Sequence, residues 1–149
     1  MFSELIKITG RVKIVLTAPD GSIKDQQEFD NLVVTAGKVF IAASMAKTTV
    51  NTPAAMTHMA VGTNNTAPVV GDTTLNVELA RVALASATPS SATIVYIATF
   101  PPGTGTGALV EAGLFNAAAA GTLLCRTIYS VINKAAGDSL TVTWTITIN

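Results

Sequence analysis

The sequence predicts an all-β fold: an antiparallel β-sandwich or jelly roll of about eight strands with one short inserted helix. Three observations predict it. Apolar residues recur with a period of two along most of the chain. Clusters of Gly, Pro, Asn, Asp and Ser interrupt that pattern at short, regular intervals. Helical spacing occurs in one convincing stretch, which begins near Thr35. No fixed-period repeat and no linker is visible, so the 149 residues are read as a single β-sandwich domain, 1–149. A chain of that length can bury ~68–70% of the surface its unfolded form exposes.

Each element has its own signal. Ile6, Ile8, Val12, Ile14 and Leu16 alternate with Lys7, Thr9, Arg11, Lys13 and Thr17, which describes a half-buried strand with a bulge or bend at Gly10. Pro19-Asp20-Gly21-Ser22 is a turn, because Pro fixes φ and Gly accepts positive φ. The return strand, Ile23 to Phe29, is polar enough to be a solvent-exposed edge protected from aggregation by its charges. In the helix Thr35 is placed as the cap, and Val39, Phe40, Ala43 and Ala46 share one face. Lys47 to Thr57 reads as a loop, Met59 to Val61 as a short strand, and Gly62 to Asp72 as a long Gly/Asn/Thr/Pro loop. One helical turn is expected at Thr73 to Glu78 and a strand at Leu79 to Ser86. Further strands are placed at Ala92 to Phe100, Leu109 to Phe115, Thr122 to Ile132 and Ser139 to Ile148. Turns at Pro89-Ser90-Ser91, Gly103 to Gly107, Asn116 to Gly121 and Asn133 to Asp138 separate them.

Composition narrows the function. Charged residues make up 12% of the chain, about half the usual ~25%, and the formal net charge is zero. Such a weakly charged surface resists association less than that of a typical monomer. It belongs to a protein that lives packed against other protein. With no Lys/Arg cluster to displace counterions, no nucleic-acid partner is expected. One cysteine excludes an internal disulfide and offers no metal-site spacing, which fits synthesis in a reducing cytoplasm. The opening MFSELIKITG lacks the basic and apolar regions of a secretory signal, and no apolar run approaches the ~20 residues that span a bilayer, so no membrane partner is expected.

Candidate chemistry is sparse. His58 is the single histidine and has no Cys, Asp or Glu near it in sequence, so a structural role is expected. Ser44, Ser86, Ser90, Ser91, Ser130 and Ser139 lie outside any Gly-x-Ser-x-Gly elbow. Alternation puts Cys125 with Leu123, Thr127, Tyr129 and Val131, and Arg126 on the opposite face, so the thiol reads as buried and inert. Gly103-Thr104-Gly105-Thr106-Gly107 lacks the Lys of a phosphate loop and leads into a strand. Asn64-Asn65-Thr66 matches a glycosylation sequon by coincidence. Glu111 and Arg81 interrupt apolar strands; either they pair with each other, across strands or across a subunit contact, or both face solvent. Trp144 shares a side with Val142, Ile146 and Ile148, as a core or interface anchor. No catalytic, cofactor-binding or metal-binding residues are assigned, no cofactor is expected, and the chain is not read as an enzyme.

Three segments carry a further signal: His58 to Leu84 (HMAVGTNNTAPVVGDTTLNVELARVAL), Ala98 to Asn116 (ATFPPGTGTGALVEAGLFN) and Val131 to Asn149 (VINKAAGDSLTVTWTITIN). Together they resemble a group of small virion structural proteins of tailed bacteriophages and prophages. That group includes capsid decoration (cement) proteins and short tail-fibre or baseplate components. The resemblance implies a virion protein made in the host bacterial cytoplasm. Its implied partners are the major capsid protein, or tail proteins, and itself as a homotrimer. A compact chain without a stalk favours the decoration role, a tail-fibre, tail-tip or baseplate component being the alternative. Attachment is expected through the N-terminal hairpin Ser3 to Phe29 and the loop Lys47 to Thr57. A carbohydrate-binding β-sandwich is a remoter alternative, which the 5% aromatic content disfavours.

Overall fold

A computed structural model describes residues 3–46 and 52–149. In it the period-two pattern becomes ten strands: β1 (Ile8–Thr17), β2 (Ile23–Asp30), β3 (Leu32–Val33), β4 (His58–Gly62), β5 (Glu78–Ala83), β6 (Ser86–Ser90), β7 (Thr93–Phe100), β8 (Gly107–Phe115), β9 (Leu123–Lys134) and β10 (Ser139–Ile148). One helix, α1 (Thr35–Ala46), is inserted after β3. All pairings are antiparallel. The first sheet runs β2-β1-β10-β7-β6 and the second β3-β9-β8-β4-β5. The predicted all-β, two-sheet class is the class observed.

The core lies between the sheets. Val12, Ile14 and Leu16 of β1, Val142 and Trp144 of β10, and Phe100 of β7 face Met59, Val61, Leu109, Leu114 and Ile132 of the second sheet, all buried. Each such side chain contributes roughly 1.5–3 kcal/mol when withdrawn from water. Trp144 is a core anchor, and its Nε1 donates to Asn31 Oδ1 at 3.0 Å. Gly10 makes room for that asparagine, since a Cβ there would overlap the Asn31 amide. The β1–β10 register is unbroken from Ile8 to Thr17, so Gly10 is a point of close approach and not the bulge or bend expected.

The Pro19–Ser22 turn forms as expected, with Gly21 at φ +86° and Asp20 Oδ1 accepting from the Ser22 amide at 2.9 Å. Strand β2 occupies an edge, and its Glu28 and Asp30 pair with Arg11 of β1 across the exposed face.

Five local expectations are corrected. Leu79 to Ser86 is not one strand, because consecutive amides bond to different sheets. Leu84 N donates to Thr57 O at 2.8 Å, and Ala85 N donates to Ile97 O at 2.7 Å. The chain therefore leaves β5 and starts β6 in the other sheet. Pro89 and Ser90 belong to that edge strand, where a missing N–H is harmless, and the turn moves to Ser91, at φ +53°. Gly37 is the buried residue of α1, with Phe40, Ile41, Ala43 and Ser44 half-buried around it, while Val39, at 63%, and Ala46 are exposed. Gly37 causes the rotation by seating the helix against the Leu124 carbonyl. Thr35 is the first helical residue, and its amide is satisfied by Val70 O at 2.8 Å. Thr73 to Glu78 forms no helical turn, for a reason that lies in the loop clamp described next.

Candidate functional site

The most unusual chemistry lies on the outer face of the second sheet, beneath the loop 63–77. Glu111 of β8 and Arg126 of β9 are both fully buried. Their register irregularity explains how a glutamate comes to point there. Leu109 pairs with Ile132 but Glu111 with Ile128, so β9 is two residues longer than β8 across this irregularity, and both strands lose their regular alternation there. Leu109 then faces the inter-sheet core, while Glu111 faces outward, under the loop. The same break turns Val131 to solvent and Ile132 inward, correcting the shared face expected for Cys125, Tyr129 and Val131.

Nearly every polar atom in this cluster is matched. Arg126 donates Nε and Nη2 to Glu111 Oε2 at 3.1 and 2.8 Å. Its Nη1 reaches Asp72 Oδ2 at 3.0 Å, and Nη2 also reaches Thr66 O at 3.0 Å. The glutamate accepts the Val77 amide at 2.8 Å, the Asn76 amide at 3.1 Å and the Asn64 amide at 3.4 Å. Two of those amides, Asn76 and Val77, lie in the segment Thr73 to Glu78 where a helical turn is expected, and they bond to Glu111 instead of within the segment. Asp72 Oδ2 accepts the Val69 amide at 3.0 Å. Gly62 is required here, because a Cβ would strike both Val77 O and the Glu111 carboxylate. Beside the charges, Leu75 enters a small second core with Val34, Ala60, Phe115 and Leu123.

The Glu111 carboxylate, the Arg126 guanidinium and Asp72 Oδ2 are each bonded to partners within the fold. What the cluster does is hold a loop. The clamped segment presents Val69 and Val70, 58% and 54% exposed, at the surface.

The pairing of Glu111 with Arg81 is corrected. Arg81 pairs with Glu78 at 2.7 Å, lies 3.7 Å over the Phe115 ring, and donates Nη1 to Ala117 O and Ala120 O, both at 2.9 Å. It caps the β8–β9 turn. Glu111 belongs to Arg126, and neither alternative for the two residues holds.

The remaining candidates fall in structural places. His58 lies on β4, with Nδ1 2.8 Å from Thr57 Oγ1. Cys125 is buried, and burial pushes its thiol pKa well above the ordinary value. Ser44 Oγ donates to Phe40 O within α1 at 2.8 Å. Asn64 Oδ1 accepts the Thr66 amide at 2.9 Å, so the sequon asparagine shapes the clamped loop. Gly103 and Gly105, at φ +81° and +68°, turn the chain from β7 to β8. Lys134 braces that turn by donating to Pro101 O at 3.0 Å. Among the described residues, no group of three His, Cys, Asp or Glu side chains could hold a metal ion. No described helix is long and apolar enough to cross a membrane.

No protein-family model, curated protein or solved structure matches the chain. None of these comparisons bears on the resemblance to phage virion proteins expected from the three quoted segments.

A second surface feature stands out. Between α1 and the ends of β1, β7 and β10 lies an apolar groove of about 360 Å³, lined by Ile8, Phe40, Met45, Tyr96, Ile146 and Ile148 among others. Met45 is 80% exposed at its rim. Sequence reasoning missed both the groove and the clamp. The groove needs residues from five separate elements, and the clamp depends on a register break that alternation cannot show.

Proposed function

We propose that the chain is a structural component of a tailed-phage particle, working as a capsid decoration protein. Under this proposal it is made in the host cytoplasm and carried on the virion head. Its partners are the major capsid protein and further copies of itself. The observation that supports a docking role is the clamp. Buried charges serve the fold by fixing an exposed loop whose tip, Val69-Val70, is apolar. A rigid apolar tip loses little conformational entropy on binding, which favours attachment through complementary surface. The three segments supply the particle, and the loop supplies a mode of attachment.

Of the attachment surfaces expected from sequence, residues 47–51 lie outside the described residues. The N-terminal hairpin is exposed and charged on its β2 edge. The loop 63–77 joins these as the preferred shell-facing element, because it combines a clamped backbone with exposed apolar side chains.

Co-sedimentation of the purified protein with phage heads lacking it tests the proposal. The wild-type chain should pellet with heads, and a Val69→Glu, Val70→Glu variant with an unchanged circular dichroism spectrum should remain in the supernatant. Sedimentation with isolated tails and not with heads would favour the tail-component alternative.

A further inference from the structure

We infer that the groove beside α1 is the seat for the N-terminal arm of a second copy of this chain. The inference rests on the groove and the arm and is independent of the phage assignment.

The arm is apolar and unsupported. Leu5 is 93% exposed and Ile6 68% exposed, the two together forming an apolar pair just outside the sandwich. The groove is the complementary feature, an apolar trough with Met45 standing open at its rim. Both belong to the same end of the molecule, since Ile8, which follows the arm, also lines the groove.

The arm's direction decides between its own groove and a neighbour's. Lys7 N donates to Asn149 O at 3.0 Å, and Asn149 N donates to Lys7 O at 2.7 Å. This reciprocal pair holds the backbone extended along the end of β10 as far as Lys7. Reversing direction takes a four-residue turn. Ser3 to Ile6 would have to form that turn, leaving Leu5 and Ile6 in the bend instead of in the trough. An arm that continues outward meets a neighbouring molecule. Arm-into-groove contact is heterologous, so it closes into a ring of copies when the rotation allows.

The test uses two singly substituted chains. Leu5→Cys protein is mixed with Met45→Cys protein under mild oxidation, the native Cys125 being buried. The expected result is a disulfide-linked species of twice the monomer mass in the mixture. Light scattering should give wild-type protein at least double the monomer mass. A Leu5→Asp, Ile6→Asp variant should fall to monomer mass with its circular dichroism spectrum unchanged. A monomeric wild type would overturn the inference. So would an oligomer that survives the aspartate variant, or a disulfide that forms only when both cysteines are in one chain.

Discussion

Arg126 delivers two of its donors to a single oxygen of Glu111, at 2.8 and 3.1 Å, with neither side chain accessible to water. The two residues are diagonal neighbours on adjacent strands, Arg126 standing opposite Gly113. The absence of a side chain at Gly113 leaves the outer face open there to Leu75 and Leu123, which close over it. A loop amide enters on Glu111 and a loop carboxylate on Arg126, so the pair couples the sheet to the loop.

Removing one member of this pair strands the other as a buried charge. Glu111→Ala and Arg126→Met should each destabilise the fold by about 3–5 kcal/mol. Replacing both with apolar residues should cost much less than the sum of the two. Urea unfolding of the singles and the double measures this. Hydrogen exchange adds a local readout, since the Asn76 and Val77 amides should lose protection in Glu111→Ala. Additive losses would refute the coupling.

Gly37 offers a prediction whose sign opposes helix propensity. In an exposed helix interior, Gly to Ala gains about 0.8–1.0 kcal/mol. Here a Cβ would overlap the Leu124 carbonyl, so Gly37→Ala should lose about 1–3 kcal/mol by forcing α1 off the sheet. A higher thermal midpoint for the variant would contradict the packing described.

Cys125 should be silent in the native state. Its thiol is fully buried, and burial raises its pKa well above the ordinary range. A disulfide reagent at about pH 8 should label it only as fast as the protein opens, and at once in denaturant. Prompt labelling of native protein would show the second sheet to be open at β9.

Asp138 provides the acid-sensitive contact. Hydrogen bonds from Lys24, at 2.6 Å, and from the Ala135 amide, at 2.9 Å, hold its carboxyl below the usual pKa. A carboxyl more acidic when folded than when unfolded stabilises fully above its unfolded value of about 3.9. That contribution is lost as pH falls through the folded value. The thermal midpoints of wild type and Asp138→Asn should therefore differ by a constant amount above about pH 5 and converge below about pH 4. A gap unchanged down to strongly acidic pH would exclude Asp138 as the titrating group.

Much of the fold was legible because it follows local rules. The Thr/apolar alternation of β10, the Pro19–Ser22 turn and the charged edge β2 each carry their signal within a few residues. The β5–β6 crossover was not legible, because the sequence runs on as β-formers while the amides of Leu84 and Ala85 turn to different sheets. Nor was the face of α1, which is set by a glycine whose value lies in what it lacks. Glu111 was recognisable as a buried charge in need of a partner. Choosing Arg126 over Arg81 required the register shift between β8 and β9, which depends on tertiary pairing.

The central claim is attachment to the head of a phage particle, and immunogold labelling of intact virions with antibody to this chain tests it most directly. The account predicts gold spread over the whole head surface, as many copies of a decoration protein would give. Gold confined to the tail or its tip would contradict it.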